Sequence, residues 1–394
     1  MIEKEEKEIF EDEDTIKEED VLEVPKEIRR LNIETHDYPI KVIVEMIKDG
    51  DIVLRPHYQR DFIWDRTKSS LLIESVLLNI PLPPVYLAQE DDGTLSVIDG
   101  LQRLHTFLDY YNNKFSLRKL EGEGLIDLNK LNYEGLQKHF PKAKRILDRG
   151  NIRTITVSKD SDPDIKYDIF ERLNSGSVKL NDQEIRNCIF HGSLNELIMG
   201  TYNQTKESYD SNGLRHNQIL QNAMNLIEPH ARYLDAEIVL RIMAMINYRD
   251  NLDRVYKNSM KQLINDYMKE HRNLDEFMLK IHQNLFELTM KKSDKVFGEK
   301  LFKRYKGDEI EASLNRSIMD CIVISFQDYD LETLENKKNE IVALMDNMLN
   351  SKDSFLGNRT QNSFYDTVTK WTSSKNSLLD RIELWKTELS KIME

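Results

Sequence analysis

The spacing of apolar residues divides the chain into two regions. Between about residues 38 and 190, short β-type runs alternate with helical ones. From Asn181 to the end every convincing signal is helical. Ile40–Ile47 has a helical pattern stopped by Asp49-Gly50-Asp51, and Ile52–Leu54 is a short strand. Asp65 is an N-cap for a helix reaching about Asn79, whose predicted apolar face is Leu71, Leu72, Ser75, Val76 and Leu78. Pro81, Pro83 and Pro84 then force an extended segment. Val85–Gln89 and Thr94–Ile98 read as strands around a turn, and Leu101–Tyr111 as a helix with Leu101, Leu104, Phe107 and Leu108 on one face. Ile152–Val157 is a β-branched strand, and Pro163–Leu173 starts a helix closed by Asn174-Ser175-Gly176-Ser177. Residues 25–40 and the stretch up to Gly150 carry no clear period.

Further helices are expected at Asp235–Tyr248, Tyr256–Lys269, Leu274–Met290, Ser313–Asp328, Leu331–Leu349 and Ser377–Met393. No internal repeat recurs at a fixed period. The expected class is α+β: a small α/β domain over 25–192, then a mainly helical domain over 193–394.

Charge adds a third region. The net charge of the 394 residues is −13, and residues 1–24 hold twelve acids and three lysines. That acidic tail is expected to be disordered or weakly helical, serving either solubility or as a docking or nucleic-acid-mimicking segment. The total excludes a uniformly basic nucleic-acid-coating protein, while leaving room for a local basic groove in the body. Cys188 and Cys321 form no CxxC pair and no cluster with histidine, which argues against a zinc site or a disulfide framework. No signal-peptide pattern and no apolar run of about 20 residues is seen, so a cytoplasmic protein without membrane contact is expected. A P-loop and a Rossmann fingerprint are both missing.

Three segments have the residue types for phosphate chemistry. In Val97-Ile98-Asp99-Gly100-Leu101-Gln102-Arg103 a strand runs through a glycine turn into a helix, where free amides and the positive helix end favour anions. Gly100 permits close backbone approach and Arg103 can clamp a phosphate. Asp99 can hold a metal or orient water, and Gln102 can position water. The structural alternative is a plain corner in which Asp99 caps the helix and Arg103 pairs with an acid. In Arg55–Asp65, two arginines and Gln59 stand among aromatics, suited to stacking and phosphate contact, or to packing Phe62 and Trp64 on the core. In Phe170–Asn187, Arg172, Asn174 and Arg186 crowd a helix–turn–helix step, with Asn181 or Asp182 as the cap of the second helix.

In this order the segments resemble one family, the N-terminal domain of GmrSD-type restriction endonucleases, a ParB/sulfiredoxin-like domain. Its P-x-Y-Q-R-x-[YF]-x-W element is matched by Pro56, Tyr58, Gln59, Arg60, Phe62 and Trp64. Its L-I-E-S-I-L and P-[IL]-P-P elements are matched by Leu72–Leu77 and Pro81–Pro84. D-G-Q-Q-R appears as Asp99-Gly100-Leu101-Gln102-Arg103, with Leu101 in place of the first glutamine. F-x-R-L-N-x-G-x-x-L-x-x-Q-E-[IL]-R-N is matched by Phe170–Asn187.

The resemblance implies a nucleoside triphosphate with Mg²⁺ in this domain and an NTPase of a restriction or phage-defence system acting on foreign DNA. It implies Asp99, Gln102 and Arg103 as catalytic, with Asp99 on the metal. Gln59, Arg60, Gly100, Arg103, Arg172, Asn174 and Arg186 would form the nucleotide site. Family members couple this domain to an HNH nuclease module. Here His282 is the last histidine, and His271 and His282 sit in helical pattern, so a separate nuclease subunit is the expected partner. Two alternatives stay open: a non-catalytic nucleotide or nucleic-acid switch that recruits a nuclease, and a ParB-like DNA-binding or nicking module.

Overall fold

The computed structural model describes residues 32–54, 64–90, 92–120, 124–161, 169, 181–203, 208–351 and 354–394. They form two compact units, one ending at Ile189 and one beginning at Phe190. The N-terminal unit runs β1 (Ile33–Pro39), α1 (Ile40–Asp49), β2 (Ile52–Val53), α2 (Arg66–Leu77), β3 (Val85–Gln89), β4 (Leu95–Asp99), α3 (Leu101–Tyr111), α4 (Tyr133–His139), α5 (Pro141–Arg149), β5 (Asn151–Val157) and α6 (Asp182–Ile189). Its strands make one mixed sheet in the order β1-β5-β3-β4-β2, with β3 parallel to β5 and antiparallel to β4. The class is α+β, as the pattern of periods predicts.

Local chemistry sets the element ends. Gly50 closes α1 in the left-handed region at φ 87°. The Asp65 carboxylate caps α2 by accepting from the amides of Thr67 at 2.7 Å and Lys68 at 2.8 Å. The buried face of α2 differs from the expected one: Leu72, Ile73 and Val76 are buried with Ser69 and Ser70, while Leu71 and Leu78 are exposed. Ser70 explains the rotation. Its hydroxyl bonds the Arg66 carbonyl and accepts from the Arg118 amide, so a polar side chain can face inward.

β1 lies in the stretch read as irregular. Its residues are mostly exposed, so no burial pattern marks the sequence. It is held as an edge strand by its ladder with β5 and by a bidentate Asp37–Arg153 pair directly across that ladder, at 2.9 and 3.0 Å. The stretch before Gly150 holds α4 and α5. Pro141 at the first position of α5 and the Asn132 cap of α4 are the local signals.

The second unit runs α7 (Ser193–Met199), β6 (Tyr202–Asn203), β7 (Ser208–Tyr209), α8 (Gln218–Ala223), α9 (Leu234–Asn247), α10 (Leu252–Val255), α11 (Met260–Glu270), α12 (Glu276–Phe297), β8 (Lys303–Lys306), β9 (Glu309–Leu314), α13 (Arg316–Ser325), α14 (Leu331–Asn336), α15 (Lys338–Asn350), α16 (Phe364–Thr369) and α17 (Lys375–Met393). It is mainly helical, but the pairs β6–β7 and β8–β9 correct the all-helical reading. Gly307-Asp308 turns the second pair, and its charged strands are stabilised across the ladder by Arg304–Glu311 at 2.8 Å. The centre holds an ion triad. Asp320 accepts from Arg241 at 2.8 and 3.0 Å and from Arg381 at 3.1 Å, tying α9, α13 and α17 with all three side chains buried. Among the described residues no helix is long and apolar enough to cross a membrane.

Candidate functional site

The strand–turn–helix corner forms as the motif predicts. β4 ends at Asp99, and Gly100 is the N-cap of α3 at φ 99°, ψ 8°. Two constraints select glycine there. The backbone is left-handed, and a Cβ would stand 2.7 Å from Val85 Cγ2 and 3.1 Å from Arg103 Nη2. No side chain caps α3. The first helical bond runs from the Leu104 amide to the Gly100 carbonyl, so the amides of Leu101, Gln102 and Arg103 stand ahead of the ladder at the positive helix end.

Asp99 therefore is not the helix cap. Its Oδ2 accepts from Arg103 Nη2 at 2.8 Å, leaving a carboxylate that is 44% exposed. Arg103 is buried, and its guanidinium donates to three acceptors: Asp99 and the carbonyls of Pro83 and Pro84, the last at 3.1 Å. The physical reason lies in Pro81-Leu82-Pro83-Pro84. Prolines have no amide to zip into a ladder, and the planar guanidinium fork satisfies their carbonyls instead. Two motifs far apart in sequence thus meet at one side chain. Burial pulls the Arg103 guanidinium below the usual arginine range, and Asp99 opposes that shift.

Gln102 is half-buried on the same turn, and its carbonyl accepts from the Thr106 hydroxyl at 2.8 Å. Leu101 is buried in the core of the unit beside Leu104 and Phe107. The position where the family pattern has glutamine is therefore an inward-facing one here, and leucine fills it as packing.

Arg186 lies on α6. Asn181 is its cap: the Asn181 side chain accepts from the Glu184 amide at 2.8 Å, and Glu184 returns a bond to the Asn181 amide at 2.7 Å. Arg186 is buried and donates to Gln183 at 3.1 Å, while Gln183 donates to Asn187 at 2.9 Å. The structure thus brings Asp99, Gly100 and Arg103 together, with Gln102 on the same turn. Arg186 belongs to a buried amide–guanidinium network on α6. Gln59, Arg60, Arg172 and Asn174 fall outside the described residues, as does all but Ile169 of the helix expected at Pro163–Leu173.

Sequence reading missed a row of exposed cations on α4 and α5, whose spacing Lys142, Arg145, Arg149 was its only signal. In the second unit, His282 accepts from or donates to Tyr267 across 2.9 Å and lines a cavity of about 280 Å³ with Met243, Ile246 and Phe286. Burial and the neighbouring His271 hold its pKa below the ordinary histidine value. The hairpin β8–β9 followed by α13 has no histidine, and burial pushes the Cys321 thiol up, away from nucleophile chemistry. Among the described residues no group of three histidine, cysteine or carboxylate side chains can hold a metal. Asp99 is the exposed carboxylate at the corner that could hold a cation.

No curated protein and no solved structure matches the chain. A family model does, described as the GmrSD restriction endonuclease, N-terminal domain, and the match begins with α1 and ends just after α6. The matched residues 40–191 contain the Asp99–Arg103 corner, so this part of the chain is similar to the N-terminal domain of the GmrSD restriction endonuclease.

Proposed function

We propose that this protein is a nucleotide-binding component, an NTPase, of a cytoplasmic restriction or phage-defence system acting on foreign DNA. The nucleoside triphosphate and Mg²⁺ bind at the Asp99–Arg103 corner, and a separate nuclease subunit makes the cut. The observation that carries the reading is the uncapped N-terminus of α3 set beside a half-exposed carboxylate that a buried arginine holds in place. The amides of Leu101, Gln102 and Arg103 would bind phosphate oxygens, and Asp99 would hold the metal through its exposed oxygen. Gln102 would orient water, while Arg103 fixes Asp99 and adds positive charge. Mg²⁺ would supply charge neutralisation on the phosphates. Arg60 and Gln59, with Arg172 and Asn174, are the candidates for the remaining phosphate contacts, and Arg186 supports them from α6.

One observation favours a second reading, a switch without turnover. Both Nη2 hydrogens of Arg103 are already committed, to Asp99 and to Pro84, which restricts its freedom to follow a transferring phosphoryl group. The test is binding and phosphate release with each of the four ribonucleoside triphosphates and Mg²⁺. Turnover lost in Asp99→Ala and Gln102→Ala supports the NTPase. Binding without turnover selects the switch. No binding of any triphosphate overturns both.

A further inference from the structure

We propose that the exposed face of α4 and α5 docks the sugar-phosphate backbone of duplex DNA. The choice of DNA among polyanions rests on the restriction reading above; the surface itself does not. Between Lys138 and Arg149 stand five lysines and arginines against one acid, Asp148. That acid is already engaged. Lys144 pairs with it at 2.7 Å, and the hydroxyls of Tyr111 and Tyr133 donate to its other oxygen at 3.0 and 2.9 Å. Lys138, Lys142, Arg145 and Arg149 are left exposed, with no ion-pair or hydrogen-bond partner among the described residues.

Helix geometry lines them up. Positions 142, 145 and 149 recur at i, i+3 and i+7, within an arc of about 60° and over about 10 Å of axis. The opposite face is anchored: Leu147 is fully buried and Ala143 packs against the same core, so the row is fixed in orientation. Local rules argue against such a row. Like charges at these spacings repel, and Lys142 sits in the first turn, where the helix dipole disfavours a cation. A chain of net charge −13 has no need of unpaired cations for solubility. A polyanion removes both penalties. Duplex DNA carries about one charge per 1.7 Å of axis, a density that three cations over about 10 Å can follow. An anionic membrane fits less well, because Ile146 is the exposed apolar residue beside the arc, and insertion needs a broad apolar face.

The row also lies well for the corner. β5 begins at Asn151, directly after α5. Val85 pairs with Thr154, and Tyr86 with Asp99. The end of α5 and the Asp99–Gly100 turn therefore belong to the same end of the sheet, with β4 and β5 about 10 Å apart across β3.

The experiment is fluorescence anisotropy of a duplex of about 20 base pairs with the full chain, from about 50 to 250 mM NaCl. Lys142→Glu/Arg145→Glu/Arg149→Glu is compared with Lys257→Glu/Lys280→Glu/Lys291→Glu, which changes net charge equally on exposed lysines of the second unit. The first variant should bind at least about thirty-fold more weakly at 100 mM salt, and its slope of log K against log salt should flatten by about 2.7, three contacts at about 0.9 each. The second should stay within about three-fold. Equal losses in both variants, an unchanged slope, displacement of the duplex by polyglutamate at equal charge, or no binding by the wild type would each overturn the proposal. Nucleotide binding by the same proteins separates the readings. Nucleotide bound without duplex sinks the docking surface alone, and duplex bound through the row without nucleotide sinks the nucleotide reading alone. Equal thermal midpoints of the variants establish that both remain folded.

Discussion

Replacing Arg103 by alanine tests what that side chain does in the corner. Arg103 is 9% exposed, and its guanidinium donates to Pro83, Pro84 and Asp99. Bonds from a charged donor to neutral carbonyls are worth about 1.5–3 kcal/mol each when both ends stay dry. The Pro83 residue is exposed and Pro84 half-buried, so their carbonyls regain water and the lower end applies. The Asp99 pair is discounted to at most about 1 kcal/mol, because that carboxylate is nearly half exposed. Losing the buried stem adds to the total, and removing the desolvation of the charge subtracts from it. The net expectation is a loss of about 3 kcal/mol, felt where the corner joins the prolines. At about 1.4 kcal/mol per decade, amide hydrogen exchange over β4 and α3 should accelerate by about a hundred-fold. Arg103→Lys should fall between, since one ammonium cannot span the fork of acceptors. Exchange in Arg103→Ala within about three-fold of wild type, together with lost triphosphate affinity, would refute the argument. Arg103 would then be a ligand clamp and not a pin.

Two further outcomes follow from the second unit. Asp320→Asn leaves Arg241 and Arg381 buried beside a neutral amide, and should lower unfolding stability by about 3–5 kcal/mol in urea titration; a loss under about 1 kcal/mol would mean that water reaches the triad. His282 is held below the ordinary histidine pKa of 6.5 by burial first and by His271 second. The folded state then binds fewer protons than the unfolded one, so this contribution is intact above about pH 6.5 and is lost as the pH falls toward the folded pKa. The fall in thermal midpoint between pH 7.5 and 5.5 should be smaller in His282→Gln than in wild type, and equal falls would contradict it.

Much of the N-terminal unit was legible in the sequence because its signals are local. Gly50, Asp65, Gly100 and Asn181 each settle an element boundary through a turn or a cap that a few neighbouring residues decide. Leu101–Tyr111 could be delimited for the same reason. The ordered motifs also point to the family whose model matches residues 40–191, since each is a short string whose residue types are visible without a fold. What depends on distant partners was not legible. β1 is an exposed edge strand with no apolar alternation, and only β5 makes it a strand. The inward face of α2 includes Ser69 and Ser70, one of which needs the Arg118 amide from 48 residues away. Above all, the sequence places Arg103 four residues from Asp99 but cannot show that Pro83 and Pro84 complete its shell. Those carbonyls come to the guanidinium only when β3 is zipped beside β4 in the sheet. Helical and turn identity follow from bonds within a few residues, whereas the duty of a charged side chain follows from which acceptors tertiary packing brings within about 3 Å of it.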